Sequence, residues 1–324
     1  MQPLAAVNLL RRRDAARLLD VWRAALWSRT RTVYQIEQPN LDECWQCDFG
    51  GGLQMAAIGV QPGLRGTLEV TYGYLLLANG MPIGYGGFTT LFAQVNTGIN
   101  VFPEYRGAEA AFAFEQALRA MRTLTGCAHV IVNPYQFGAG NDEALASGAY
   151  WFYYRLGFRS VEPAVDRLAQ REFARLRADR GHRVPIGTLR RLAACDLRLD
   201  LADRTDALFD EAWLPAIGRG ITEAVARVPQ VSRSRALAQL AREVAQRLGA
   251  DIAGWSRSER GGLVQFAPLL AQIDDLAEWP GADKRAAIDL VRARQAPTER
   301  PFIGMLREHA RLREALARVG RRSL

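Results

Sequence analysis

Gly98-Ile-Asn-Val-Phe-Pro-Glu-Tyr-Arg-Gly-Ala-Glu-Ala-Ala111 and, further on, Ser147-Gly-Ala-Tyr-Trp-Phe-Tyr-Tyr-Arg-Leu-Gly-Phe158 decide how this chain reads. The first stretch is a strand that passes through a turn of small residues into a helix. The main-chain N–H groups at such a helix start have no intrahelical partner and aim at an anion. The second stretch is an aromatic helix that ends at Gly157, a left-handed cap, and supplies the other wall of a cleft.

Working outward, residues 13–28 are an amphipathic helix with Leu18, Val21, Trp22, Ala25 and Leu26 toward one face. Residues 37–66 carry Gln38-Pro-Asn, Gly50-Gly-Gly and Pro62-Gly, and read as a long irregular segment of the kind that covers a site. Thr67–Ala78 and Pro82–Phe92 are strands joined by Asn79-Gly80, a hairpin turn in which both residues accept positive φ. Gly84, Gly86 and Gly87 mark a bulge or a close approach to the backbone. Gln94–Pro103 is a further strand, Arg106–Leu124 a helix with Phe112, Leu118 and Met121 on its apolar side, and Ala128–Asn133 a short buried strand. Asn141 caps one helix running to Leu156, with Asp142 and Glu143 in its first turn.

From Glu162 onward the pattern is helical only, with breaks at Pro185, Pro229, Gly249, Pro280-Gly281 and Pro297. The expected architecture is α+β: residues 1–163 form a mostly antiparallel sheet with flanking helices, and residues 164–324 an all-α helical domain.

Composition excludes several classes. The chain has 324 residues, 49% hydrophobic and 23% charged, as in a globular rather than a disordered protein. No apolar run is long enough for a membrane span. The basic run Arg11-Arg12-Arg13 follows the mildly apolar Met1–Asn8 instead of preceding it, the reverse of a secretory leader, so a cytoplasmic protein is expected. The net charge of +8 comes almost entirely from arginine, with Lys284 the one lysine. Residues 1–163 balance at 13 basic and 13 acidic, and residues 164–324 hold 29 basic against 21 acidic. Because the acids are interspersed, a solvated arginine-rich helical surface is the favoured reading, also for the cluster Arg307, His309, Arg311 and Arg313; a nucleic-acid groove is the weaker one. Cys44-Trp-Gln-Cys47 has the spacing of half a zinc site or a redox pair, yet no second pair completes it, which favours two ordinary thiols and no metal.

Two motifs in order, Val101-Phe-Pro-Glu-Tyr-Arg-Gly107 and Phe152-Tyr-Tyr-Arg-Leu-Gly-Phe158, resemble the GCN5-related N-acetyltransferase (GNAT) superfamily over residues 10–163. The resemblance implies a cleft between two splayed parallel strands that takes acetyl-CoA or another acyl-CoA as co-substrate. It assigns Asn100, Val101 and Phe102 to the pantetheine strand, and Arg106, Gly107, Ala108, Glu109, Ala110 and Ala111 to the pyrophosphate loop. It gives Tyr153 the role of protonating the leaving thiolate.

The sequence departs from the family pattern in three places. Glu109 replaces the first loop glycine and brings a carboxylate beside a diphosphate unless it turns outward or pairs with Arg106. Ser147 stands where many members have asparagine. No acid lies on Gln94–Pro103 to act as base, which leaves Glu104 and Asp142 by proximity. Two readings stay open: an acyltransferase acting on an unidentified amine, small molecule or protein, by direct attack, or an inactive GNAT-like binding or scaffold protein. The helical half could serve as an acceptor lid, a homo-oligomer interface or a docking domain.

Overall fold

The computed structural model describes residues 4, 7–201, 208–229 and 232–322. In chain order the elements are β1 (Asn8–Leu9), α1 (Arg12–Trp27), α2 (Tyr34–Glu37), β2 (Pro39–Asp48), β3 (Leu53–Val60), β4 (Val70–Ala78), β5 (Met81–Leu91), β6 (Gln94–Val101), α3 (Ala108–Thr125), β7 (His129–Val132), α4 (Asp142–Ala146), α5 (Ala149–Arg155), β8 (Arg159–Ser160), α6 (Pro163–Ala178), α7 (Ile186–Leu192) and β9 (Leu197–Asp200). Six helices follow: α8 (Leu214–Ala226), α9 (Arg233–Leu248), α10 (Arg257–Leu270), α11 (Gly281–Ala293), α12 (Arg300–Glu308) and α13 (Ala310–Arg321). Among the described residues, nine strands make one open, mostly antiparallel sheet in the order β1-β2-β3-β4-β5-β6-β7-β9-β8, with β6 and β7 its parallel pair. No helix among the described residues is long and apolar enough to cross a membrane.

Period-2 alternation sends alternate strand residues to opposite sheet faces. One face buries Leu75, Leu77, Tyr85 and Phe102 against Ala15, Leu19, Trp22 and Leu26 of α1. The other buries Tyr72, Tyr74, Leu76 and Val95 under Phe114, Leu118 and Met121 of α3, and this cluster continues through α5 into α8–α13. Val21 and Phe112, expected on apolar faces, are exposed, because the buried stripes run one position away through Trp22 and Ala113.

Four expectations are corrected. Residues 37–66 are not an irregular cover: they hold β2 and β3, and Gly50-Gly51-Gly52, all at positive φ, form the turn between them. The helix expected from Asn141 to Leu156 is two helices, α4 and α5, because Gly148 takes φ +65° between them. The stretch after Glu162 is not helical throughout, since Leu197-Arg-Leu-Asp200 is β9, inserted between β7 and β8. The helical stretch beyond the Pro297 break is also two helices, α12 and α13, parted at His309, whose imidazole caps α13 by accepting from the N–H of Leu312. The Asn79-Gly80 turn has φ +50° and +78°, the pair of left-handed residues that a tight hairpin needs.

Candidate functional site

The parallel pair defines the site. β6 and β7 run in register only through Gln94–His129, Val95–Val130 and Asn96–Ile131. Beyond Asn96, β6 continues to Val101, whereas β7 ends at Val132 and the chain turns into a 3-10 helix, Pro134–Phe137. The strands therefore part, and side chains fill the wedge. Gln136 lies against Gly98, where a Cβ would come within 2.3 Å of its Oε1. Tyr153 is 2% exposed and packs edge-on to Phe114, Phe137 and Phe158 at ring distances of 5.8, 6.1 and 5.7 Å. Burial pushes its phenol pKa up, and the main-chain N–H of Ile99 on the parting strand partly offsets the rise.

At the open end of β6, the chain passes through a 3-10 turn, Pro103–Tyr105, into α3. No side chain caps α3, and a Cβ on Gly107 would meet nothing within 4 Å. An open helix start of this kind carries partial positive charge. A cavity of about 330 Å³ adjoins it, lined by Leu76, Ala78 and Ile83 of the sheet and by Val101, Arg106, Gly107, Glu109 and Ala110.

The nine residues assigned to cofactor binding divide. Val101, Arg106, Gly107, Glu109 and Ala110 line this cavity. Ala108 begins α3, its side chain lying outside the described residues, and Ala111 is not part of the lining. Asn100 is an exposed strand residue opposite Tyr85. Phe102 turns its ring to the other sheet face, beneath the Arg29 guanidinium at 4.1 Å, so only its main chain faces this end. Tyr153 lies in the wedge and does not reach the cavity lining. Arg106 pairs with Glu143 at 3.0 Å rather than with Glu109. Of the acids considered as bases, Glu104 lines the cavity and lies 3.8 Å from Arg29, and Asp142 is exposed on α4.

A second cavity, also about 330 Å³, opens on the face of the sheet opposite α3. Its lining includes Glu69, Thr89, Asn96, Asn133, Gln136 and Glu211. Glu211 accepts hydrogen bonds from the amides of Gln94 at 3.0 Å and Asn96 at 3.3 Å. Burial raises the pKa of the Glu69 carboxyl, although the residue as a whole is exposed, and the charge of Glu211 raises it further. Sequence reasoning missed this cavity. The available signal was polar residues (Thr89, Gln94, Asn96) at positions where strands so apolar would be expected to bury Val or Ile.

Compared with protein-family models, with curated proteins and with solved structures, the chain matches none of them.

Cys44 and Cys47 point to opposite faces of the sheet, Cys44 into the core under α1 and Cys47 into the core under α3. Burial pushes each thiol up to about 12, so neither is a ready thiolate. Three arginines near the C-terminus are engaged: Arg307 donates to the carbonyl of Thr125, and Arg311 and Arg318 pair with Asp275.

Proposed function

We propose that this chain is a GNAT-type acyltransferase that moves an acyl group from an acyl-CoA thioester to an amine. One observation carries the reading: a parallel strand pair that parts beyond Asn96, with an uncapped helix start at its open end. A strand edge without a partner offers main-chain groups to a ligand of amide character, and an uncapped helix start offers N–H groups to a diphosphate. In this reading Arg106 and the N–H groups of the Gly107 turn bind the phosphates. The amine nitrogen attacks the carbonyl carbon of the thioester, and the C–S bond breaks. The proton of the Tyr153 phenol passes to the sulfur, and the amine loses its proton to solvent or a nearby carboxylate. The raised pKa of Tyr153 keeps the phenol protonated and able to donate.

A second reading, a binding or scaffold protein without turnover, is favoured by one observation. Tyr153 and Gln136 fill the wedge that the thioester would enter. Calorimetric titration with CoA and acetyl-CoA, combined with detection of free thiol after adding an amine, separates the two. Binding with thiol release supports the transferase, binding without release the scaffold, and no binding removes the acyl-CoA reading altogether.

A further inference from the structure

The excess charge of the helical half is concentrated in one segment. Residues 163–192, which span α6, α7 and the turn between them, hold eight arginines against three acids, five of the chain's eight excess positive charges. All eight arginines are exposed. Among the described residues only Arg175 of the eight has an ion-pair partner, Glu172 at 2.8 Å. Of the acids, Glu172 is turned into the protein, where it also meets His182 at 3.1 Å, and Asp179 closes the turn after α6 by accepting from the N–H of Gly181 at 2.7 Å. Toward the C-terminus the pattern is different: Arg292, Arg294, Arg318 and Arg322 each meet an acid.

The arginines of α6 form a row. The helix buries Leu168, Ala169 and Glu172 on one side. On the other, Ala164, Arg167, Arg171, Ala174 and Ala178 follow one another at three- and four-residue spacing, with Arg175 four beyond Arg171, so they share one exposed face. The helical rise sets Arg167, Arg171 and Arg175 about 6 Å apart along it. The helix dipole accounts for Arg175 and Arg177 in the last turn, but Arg167 and Arg171 lie before that turn, where a cation gains nothing from it. Neither Arg167 nor Arg171 has a hydrogen-bond or ion-pair partner among the described residues. Their charge serves no contact within the chain.

The chemistry of this face selects its partner. Guanidinium groups bind phosphate through paired N–H donors. A protein interface would set large apolar anchors among the charges, and a membrane-surface helix would carry them on its opposite side. This face has alanine between its arginines, and over residues 163–192 the one exposed large apolar side chain is Ile186, at the start of α7. A single strand would need aromatic platforms for its bases; the nearby Phe173 is turned inward, stacked on Trp151 at 5.9 Å. We propose that α6 and the turn after it bind the phosphate backbone of double-stranded nucleic acid, without reading its sequence. The proposal does not rest on the transferase reading.

The test is an anisotropy titration of a short labelled DNA duplex of arbitrary sequence with the full chain at several salt concentrations. Phosphate contacts from Arg167, Arg171, Arg175 and Arg180 predict saturable binding whose affinity falls about 10²-fold between about 50 and 200 mM salt. Arg167→Gln combined with Arg171→Gln is expected to weaken binding at least about ten-fold at low salt and to flatten the slope of log affinity against log salt by about two. Thermal unfolding and CoA titration should be unchanged. Arg242→Gln combined with Arg285→Gln removes the same charge from exposed positions on α9 and α11, and should leave the affinity within about two-fold. Absence of duplex binding at low salt, or equal losses in the two double variants, overturns the proposal. Tighter binding to a single strand, to polyglutamate or to phosphatidylcholine vesicles containing phosphatidylserine assigns the face to another partner and overturns it as well.

Discussion

The hydroxyl of Tyr74 donates a 2.7 Å hydrogen bond to the carbonyl of Gly98, over a gap that exists because residue 86 is glycine. A Cβ on Gly86 would sit 2.4 Å from that carbonyl oxygen and 2.5 Å from the Tyr74 ring and hydroxyl. Gly86→Ala is therefore expected to destabilise the protein by about 1–3 kcal/mol through overpacking. Tyr74→Phe removes the hydrogen bond to this partly buried carbonyl and is expected to cost about 1 kcal/mol. Urea unfolding of the two variants measures both, and no loss in either would contradict the close packing of β4, β5 and β6.

A second expectation concerns pH. Glu43 is fully buried, with its carboxylate accepting from the Tyr72 hydroxyl at 2.7 Å and facing Arg65 at 3.3 Å. Burial, with the charge of Glu299 adding, raises its pKa to about 7. The folded chain thus holds a proton here that the unfolded chain releases near its ordinary pKa of 4.5. This group's contribution is complete below about pH 4.5 and is lost as the pH rises through about 7, by up to about 3 kcal/mol. The difference in stability between wild type and Glu43→Gln should shift in favour of the variant from pH 5 to pH 8. A difference that stays constant would show that Glu43 is ionised throughout.

Glu109 presents a carboxylate in the first turn of α3, beside the candidate phosphate site. An acid there favours the helix dipole by about 0.3–1 kcal/mol but repels an incoming diphosphate. Glu109→Ala is expected to tighten CoA binding about three- to ten-fold while lowering the unfolding temperature slightly. Arg106→Ala is expected to move CoA affinity the opposite way. Unchanged CoA affinity in both would place the diphosphate elsewhere.

Tyr153→Phe removes one hydroxyl from a ring that packs against Phe114, Phe137 and Phe158, so the fold should persist. If the phenol is the proton donor, kcat is expected to fall about 10²-fold or more with CoA affinity retained. A variant with full kcat would leave Tyr153 as packing alone.

The sequence carries local elements well and distant pairings poorly. The α3 helix and the Asn79-Gly80 turn are legible because spacing and turn chemistry sit in adjacent residues. The strand β9 is only four residues long, Leu197–Asp200, and it is a strand because β7 and β8 flank it, not because of its own propensity. β2 and β3 were hidden by small and polar residues such as Ala56, Ala57 and Gln46, which suit a two-sided buried sheet but resemble a loop. The candidate site divides in the same way. The Arg106–Ala110 turn is contiguous and was legible, whereas the Glu69–Glu211 cavity joins residues far apart in the chain that only the folded sheet brings together. The orientation of Phe102 depended on the register of β6, and no single residue displays that register.

The most direct measurement is a calorimetric titration of the purified full chain with acetyl-CoA, followed by addition of an aliphatic amine and detection of free thiol. The acyltransferase account expects saturable one-site binding, weakened by Arg106→Ala, and thiol release that requires the amine and falls with Tyr153→Phe. Absence of acetyl-CoA binding under conditions in which the protein is folded would contradict it.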